Sequence, residues 1–567
     1  MPEEINTITV NLGDGRTVQC PAGTPVKALM RDKKTPPGLF YLGALVNNDV
    51  VSLSYPLEVD SEVRLLTLAD SHGDRIYRRS ACFLLAKVVK DLFPSARFAV
   101  EHSFGSGVYC SFETNNVDGI HTNGHGGGIT KEQLAAIEKR MRELVDRDVP
   151  IERRKISFTE AMRQFEEAGQ RDKYNLLRFR NPPTIVVFWC DGFSDLAHGP
   201  LTETTGVLGL FQLIPYPPGF VIQFPEREDP VAVAPFEPQP HLFRIYQEHK
   251  EWGRILGVTT VGRLNEIIAN REIGDFIKIA EALHEKKIVT IADHINENRN
   301  RIKWVLAAGP SSSGKTTFAK RLAVQLEVDG LHPVTISVDN YFVNRDDTPR
   351  DEQGEFDYEN IETIDLRLFN EHLQKLDNGE EVELPHFDFE QGKRVFRGET
   401  LRLGPGQLVV VEGIHALNPR LTTSVPAEHK FKIYISALTQ LNLDFNNRVS
   451  TTDNRLMRRL VRDRMFRGNS ALKTLTMWPN VRRGEKMWIF PFQQEADIAF
   501  NSALDYELAV LKPLVEPLLA EVKPDCPQYA EARRLQDFLV SFLSVPDYLV
   551  PPTSILREFI GRSSFRY

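Results

Sequence analysis

Apolar and polar positions alternate along residues 5 to about 68, the period of half-buried strands. "NTITVNLGDGRTVQC" alternates on both sides of Gly13-Asp14-Gly15, a turn signal, so a hairpin is predicted there. "PVKALM" predicts one short helix before "GALVNNDVVSL" and "SEVRLLTL" return to strand. In "YRRSACFLLAKVVKDLF" the spacing becomes helical, and "FAVEHSFGSGVYCSFE" reads as paired strands. Helical segments Lys131 to Val145 and Ser157 to Ala168 precede the apolar strand "PPTIVVFWC" and short strands to about residue 226. "PEREDPVAVAPFEPQPH" breaks the pattern and reads as a linker, and 241 to 300 are helical.

These shifts divide the chain into a small β-rich unit over 1–68 and an α+β unit over 69–226. A linker and helical connector follow over 227–300, then an α/β unit over 301–520 and a C-terminal helix and tail over 521–567. The length of 567 residues agrees with several units at about 150 residues each.

Composition narrows the class without choosing the chemistry. A hydrophobic fraction of 41% and a charged fraction of 26% are those of an ordinary globular protein. The net charge of −8 gives no general attraction to nucleic acid. Five cysteines lie far apart with no C-x-x-C pair, so neither a zinc site nor a disulfide framework is indicated and a reducing cytoplasm is expected. The apolar runs are of strand length, and no membrane partner is expected. His121 and His125 stand in a polar glycine loop and are assigned no site.

The strongest local signal is "AAGPSSSGKTTFAKRL" at 307. Gly309, Gly314, Lys315 and Thr316 stand at the spacing G-x-x-x-x-G-K-[ST], after the apolar run Trp304 to Ala308 and before the helix-forming Phe318 to Glu327. Main-chain N–H groups of such a loop, here Ser311, Ser312, Ser313 and Gly314 through Thr317, join the positive end of the following helix as a phosphate cradle. Lys315 reaches the outer phosphates, and the Thr316 hydroxyl ligates magnesium. The motif predicts ATP and Mg2+.

Downstream acids and bases point beyond binding. "PVTISVDNYF" is a strand ending in Asp339, which either accepts a proton from an attacking hydroxyl or caps the strand as an Asx turn. "QLVVVEGIHAL" ends in Glu412, placed to hold magnesium beside the P-loop strand. "NRLMRRLVRDRMFRGN" carries Arg459, Arg462 and Arg467, which read as an arginine lid over phosphates.

With these residues in view, "GPSSSGKTT", "VDNYF", "GEFDYENIETID", "LPHFDFEQGKR", "VVVEGI" and "RRLVRDRMFRG" together resemble the uridine kinase and phosphoribulokinase family of P-loop kinases. The resemblance implies a doubly wound parallel sheet and Asp339 as the base. It also implies Glu412 at the magnesium, the three arginines on the phosphates, and a small acceptor, a nucleoside, near Tyr341, Glu359, Phe387 and Arg394. Two positions depart from the uridine kinase pattern: Gly392 stands where a histidine reads the base, and Met477 where a lid glutamine does so.

The front half resembles a different family. "ITVNLGDGRTVQCPAGTPVKALM", "GALVNNDVVSLSYPLEVDSEVRLLT", "RRSACFLLAKVVKDLFPSARFAV", "ISFTEAMRQFEEAG" and "DLAHGPLTETTG" are similar to the TGS and editing domains of threonyl-tRNA synthetase. That resemblance implies a β-grasp fold followed by an α+β editing fold. The four polar editing residues are replaced by Arg79, Phe83, Ala197 and Leu201, so the unit is expected to be a retained scaffold. RNA, a regulatory ligand or another copy of the chain are its expected partners. A kinase for another small alcohol or sugar phosphate, and a nucleotide-gated RNA-binding protein, are the alternative functions.

Overall fold

The computed structural model describes residues 6–32, 34–35, 38–114, 128–352, 354–404 and 406–566. His121 and His125 lie outside the described residues.

The first hairpin forms as its alternation predicts: Thr7–Leu12 runs antiparallel to Thr17–Pro21 and parallel to Ser61–Leu66. With Gly43–Val46 and Asp49–Val51 these strands make a five-stranded β-grasp sheet, and "PVKALM" supplies only a 3-10 turn, Val26–Leu29. Asn47 and Asn48, both at positive φ, close the reversal between Gly43–Val46 and Asp49–Val51, a geometry asparagine tolerates.

The helix Ser71–Leu92 shares one apolar core with the antiparallel strands Arg97–Phe104, Gly107–Glu113, Gln212–Tyr216 and Gly219–Gln223, and Leu42 and Leu66 of the β-grasp sheet enter the same core. A separate three-stranded sheet is made by Glu152–Ser157, Thr184–Cys190 and Phe193–Asp195.

In the α/β half five strands are parallel throughout, in the order His332–Ser337, Gln407–Glu412, Trp304–Ala308, Lys430–Ser436, Ile498–Asn501. Trp304–Ala308 is buried at every position, as a central strand covered on both faces must be. From it the chain passes to the edge, returns beside it and then crosses to the other side. That reversal opens a crevice at the carboxyl ends of the central strands.

One apolar core runs from Ala161 and Ile185 through the helix Ile273–Glu297 to Phe318 and Phe500, and on to Ile555 and Phe559 in the tail. The N-terminal half is therefore packed on the parallel sheet through a shared interior. A hairpin, Asn442–Asp444 with Asn447–Arg448, makes a second join. Phe445 N–H donates to Asp172, the Asn446 amide to Asp195, and the Asn447 amide to the Leu196 carbonyl. Lys173, 2% exposed, lies within 3.2 Å of Asp195 and 3.6 Å of Asp444. Burial raises Asp195 to about 7, while Lys173 and His198 hold Asp444 down at about 2 against its own burial. Among the described residues no helix is long and apolar enough to cross a membrane. All five cysteines are free.

Candidate active site

The P-loop follows the buried strand Trp304–Ala308 and opens the helix Lys315–Val328. A Cβ at Gly309 would strike the Ile435 carbonyl, and Gly314 stands at φ 83°, so glycine is required at both. Ser312 and Ser313 are buried in the loop, and the hydroxyl oxygens of both lack a hydrogen-bond partner. Buried polar groups without partners are rare, and these two suit a cradle whose partner is a phosphate. Lys315 donates to the Pro310 carbonyl at 3.2 Å, and Thr316 follows it, half-buried, in the first helical turn.

Two carboxylates converge beside this loop because the sheet order sets their strands side by side. Glu412 ends the strand between Trp304–Ala308 and His332–Ser337, opposite Ala307 and Ser337, and Ser337 Oγ donates to it at 2.7 Å. Asp339 follows the edge strand in the turn Val338–Tyr341. Burial and the negative charge of Asp339 raise Glu412 to about 7, against the pull of Lys315 and the Ser337 hydroxyl. A divalent cation would relieve this like-charge pair, so Glu412 and the Thr316 hydroxyl fit the magnesium role.

The arginines lie along the helix Thr451–Phe466 and just beyond it. Arg459 donates to Ser311 Oγ at 2.8 Å, which brings it to the rim of the P-loop. Arg459, Arg462 and Arg467 gather around Asp463 at 3.2, 3.0 and 3.8 Å. The neighbouring Arg462 and burial lower Arg467 to about 10, while Asp463 and Asp339 oppose the shift. Asp463 itself is held below the usual carboxylate range by the three cations, its burial notwithstanding.

Glu359 lies across the crevice, 7% exposed, with Oε2 buried and unpartnered. Burial and the charge of Glu485 raise it to about 7 against Arg459 and Lys315. Phe387 packs with Phe342 and Phe389, and the Arg467 guanidinium lies 5.1 Å from the Phe389 ring, so the aromatic group and the arginines face one space.

One expected acceptor residue, Tyr341, is turned away from the crevice. Tyr341 is 1% exposed, its hydroxyl shares a hydrogen bond with His372 at 3.0 Å, and its ring packs on Phe369 in the core. The turn after the strand leaves Asp339 half-buried within reach of Glu412 and Arg467 and carries Tyr341 two residues on into the interior. Arg394 stands opposite Phe387 on the hairpin and pairs through Nη2 with Asp365 at 3.0 Å, its Nη1 buried and without a partner. Gly392 stands at φ 67° with the Arg345 guanidinium 2.7 Å from any added Cβ, so arginine fills the side where a base-reading histidine would project. Met477 is half-buried on the helix Ala471–Trp488.

Several residues of this site carried no signal in the sequence. Glu485, 1% exposed, accepts from the Ser311 N–H at 3.0 Å and pairs with Arg455, whose Nε donates to the Ser311 carbonyl. Arg458, fully buried, pairs with Glu507 at 2.6 Å and donates to the Ser312 and Ser502 carbonyls. His415 lies against the main chains of Glu359 and Trp488, and burial lowers it to about 4. An arginine-rich helix reads in sequence as one basic face, and only packing separates the guanidiniums that brace the P-loop from those that face the crevice.

In the front half the helix Ser71–Leu92 packs against the segment 193–201, where the positions expected to carry the editing residues fall. Arg79 donates to the Pro200 carbonyl at 3.0 Å and lies over Gly199, Phe83 packs on Phe193, and Leu201 is 1% exposed. Arg448 of the hairpin is half-buried near Cys82 and Arg78 of the same helix.

Comparison with known proteins follows the same two halves. Residues 305–509 match the model of the Phosphoribulokinase / Uridine kinase family. The front half is similar to threonine–tRNA ligases. It is 32% identical over 208 residues to that of Janthinobacterium sp. (strain Marseille), covering 36% of this chain and 31% of the ligase. It is 29% identical over 208 residues to that of Desulforamulus reducens, with the same coverage of each. The chain thus spans about a third of the length of these relatives. Among solved structures, a "Possible Uridine Kinase" from Bacillus stearothermophilus is 17% identical with a TM-score of 0.26, covering 37% of this chain and 97% of that one. The family match falls on the parallel sheet and the P-loop, the fold of small-molecule phosphotransferases.

Proposed function

We propose that the chain is an ATP-dependent kinase that transfers the γ-phosphate to a hydroxyl of a nucleoside, with relaxed or altered choice of base. The observation that carries this reading is the convergence of Lys315, Asp339 and Glu412 at the ends of neighbouring parallel strands, with the arginines of 459–467 above them. A nucleotide switch needs the P-loop and an acid for the metal. A second carboxylate on the acceptor side is what transfer to a hydroxyl requires.

Asp339 accepts the proton of the acceptor hydroxyl. Lys315 and the arginines hold the phosphates and offset their charge, while Thr316 and Glu412 hold magnesium. Bound ATP with magnesium supplies the phosphoryl group and a cation that neutralises it. The unpartnered Glu359 Oε2 is suited to accept from a ribose diol. The base end, with Gly392 covered by Arg345 and Met477 in place of an amide, has lost the two polar groups expected to read a pyrimidine.

Hydrogen-bonded recognition discriminates by about 10⁴–10⁵, and an apolar pocket by roughly 10–200-fold. The test is kcat/KM across uridine, cytidine, adenosine, guanosine, inosine and simple sugars. Phosphorylation of several nucleosides within about 100-fold of one another is expected. Strict preference for uridine would show that other residues rebuild the contacts, and exclusive phosphorylation of a sugar would replace the nucleoside reading. The five-unit division of the chain, a homo-oligomeric state, and RNA or a regulatory ligand at the front half are proposed with it.

A further inference from the structure

The P-loop helix already carries a carboxylate at its first turn. Glu558, from the short helix Arg557–Ile560 near the C-terminus, accepts with one oxygen from both the Thr317 N–H at 3.0 Å and the Thr317 hydroxyl at 2.8 Å. Thr317 lies three residues beyond Gly314, in the first turn of the P-loop helix, where main-chain N–H groups would cradle the inner phosphates of a nucleotide. The tail also reaches the loop itself, because Ile555 lies against the Cβ side of Gly314 and Phe559 lies 5.1 Å from the guanidinium of Arg458.

This contact is built into the fold. Ile555, Leu556 and Phe559 are fully buried in the core that also holds Phe318 and Leu322 of the P-loop helix. Arg557 ties the segment back to the Asp547 and Val550 carbonyls, and Lys320 of the P-loop helix donates to the Arg566 carbonyl. So many buried apolar side chains do not leave together. The movable part is the Glu558 side chain, which is half-buried and, among the described residues, held by Thr317 alone.

We propose that Glu558 is a tethered competitor for the inner phosphate of the nucleotide: its carboxylate occupies the Thr317 donors and must swing aside before a nucleoside triphosphate seats fully. The proposal rests on the triphosphate reading of the P-loop. The competition is local, since a phosphate oxygen and the Glu558 oxygen seek the same two donors and two anions cannot share them. Pyrophosphate, which fills only the outer part of the cradle, does not meet Glu558. Glu558 thereby sets nucleotide affinity without touching the reacting atoms.

The test compares wild type, Glu558→Ala and Glu558→Gln by calorimetric titration with two probes, magnesium with a non-hydrolysable ATP analogue and magnesium with pyrophosphate. The analogue is expected to bind Glu558→Ala on the order of tenfold more tightly than wild type, the worth of a charge-assisted contact. Glu558→Gln, which keeps an acceptor and drops the charge, is expected to lie between, and pyrophosphate to bind all three alike. Analogue affinity that is unchanged or weaker in both variants, with pyrophosphate binding intact, overturns the competition and leaves the kinase reading standing. Equal tightening for both probes also overturns it, as a general loosening of the loop. Absence of binding by either probe in all three proteins overturns the triphosphate reading itself.

Discussion

The guanidinium of Arg534 grips the carboxylate of Asp453 with two hydrogen bonds, 2.8 and 2.7 Å long. Asp453 stands in the first turn of the arginine helix, and Arg534 belongs to the helix Tyr529–Leu539. The same guanidinium pairs with Glu531, which also accepts from Arg75 of the helix Ser71–Leu92. A chain of alternating charges therefore connects the front half, the C-terminal helix and the helix that bears the phosphate-facing arginines. Arg534→Met is expected to leave two mostly buried carboxylates without their shared cation and to cost about 3 kcal/mol. Chemical denaturation measures the loss. A cost below about 0.5 kcal/mol would place the network among ordinary surface pairs.

Asp339→Asn keeps the shape of the side chain and removes the proton acceptor. Turnover is expected to fall by about 10²–10⁴-fold with nucleotide binding retained. Steady-state kinetics together with analogue binding separates the two effects. A wild-type rate in this variant would make Asp339 the Asx cap that its position in the turn also allows.

Lys315→Ala is expected to lose most of its catalysis and weaken triphosphate binding while the thermal transition of the apoprotein stays close to wild type. Among the described residues the Lys315 ammonium donates only to its own loop, so its removal leaves the hydrogen bonds of the sheet untouched. Unchanged turnover would remove the P-loop from the mechanism.

The full chain is expected not to hydrolyse seryl-tRNA. At the four editing positions Arg79 is spent on the Pro200 carbonyl and Phe83 and Leu201 are packed in the core, leaving no group there to activate water. Release of serine above the uncatalysed rate, measured with labelled tRNA, would contradict this reading of the cleft.

Buried histidines are expected to subtract stability below pH 6.5, against Asp195, Glu359 and Glu412, whose values near 7 give stability back as they take up protons. Burial lowers His102 and His249 to about 3 and His72 and His415 to about 4. A histidine whose folded value is depressed binds its proton more readily when unfolded. Its penalty is absent above pH 6.5, grows as pH falls, and levels off only below the folded value. At pH 5 each such histidine costs about 2 kcal/mol. Urea denaturation of wild type and His249→Gln at pH 7.5 and 5.0 isolates one such penalty, and the variant is expected to gain about 2 kcal/mol on wild type between those values. A variant and wild type that lose stability in parallel between those pH values would exclude His249 as a source.

Local chemistry was legible in the sequence wherever a short stretch suffices to define it. The hairpin at Gly13-Asp14-Gly15 needs only alternation around a turn. The P-loop needs only Gly309, Gly314, Lys315 and Thr316 between a strand and a helix, and Asp339 and Glu412 were identifiable as acids ending apolar strands. Tertiary structure decided what depends on partners distant in the chain. It turned Tyr341 into the core, paired Arg394 with Asp365, and divided one arginine-rich helix into residues that brace the loop and residues that face the crevice. It also set the hairpin 442–448 in the front half and laid Glu558 on Thr317, 241 residues away. The physical reason is that periodicity and motif spacing report which face of an element is apolar, whereas the pairing of charges and the neutralisation of buried carboxylates depend on which elements pack together. For a P-loop braced by Glu485 and capped by Glu558, that packing brings together segments with no periodic relation to one another.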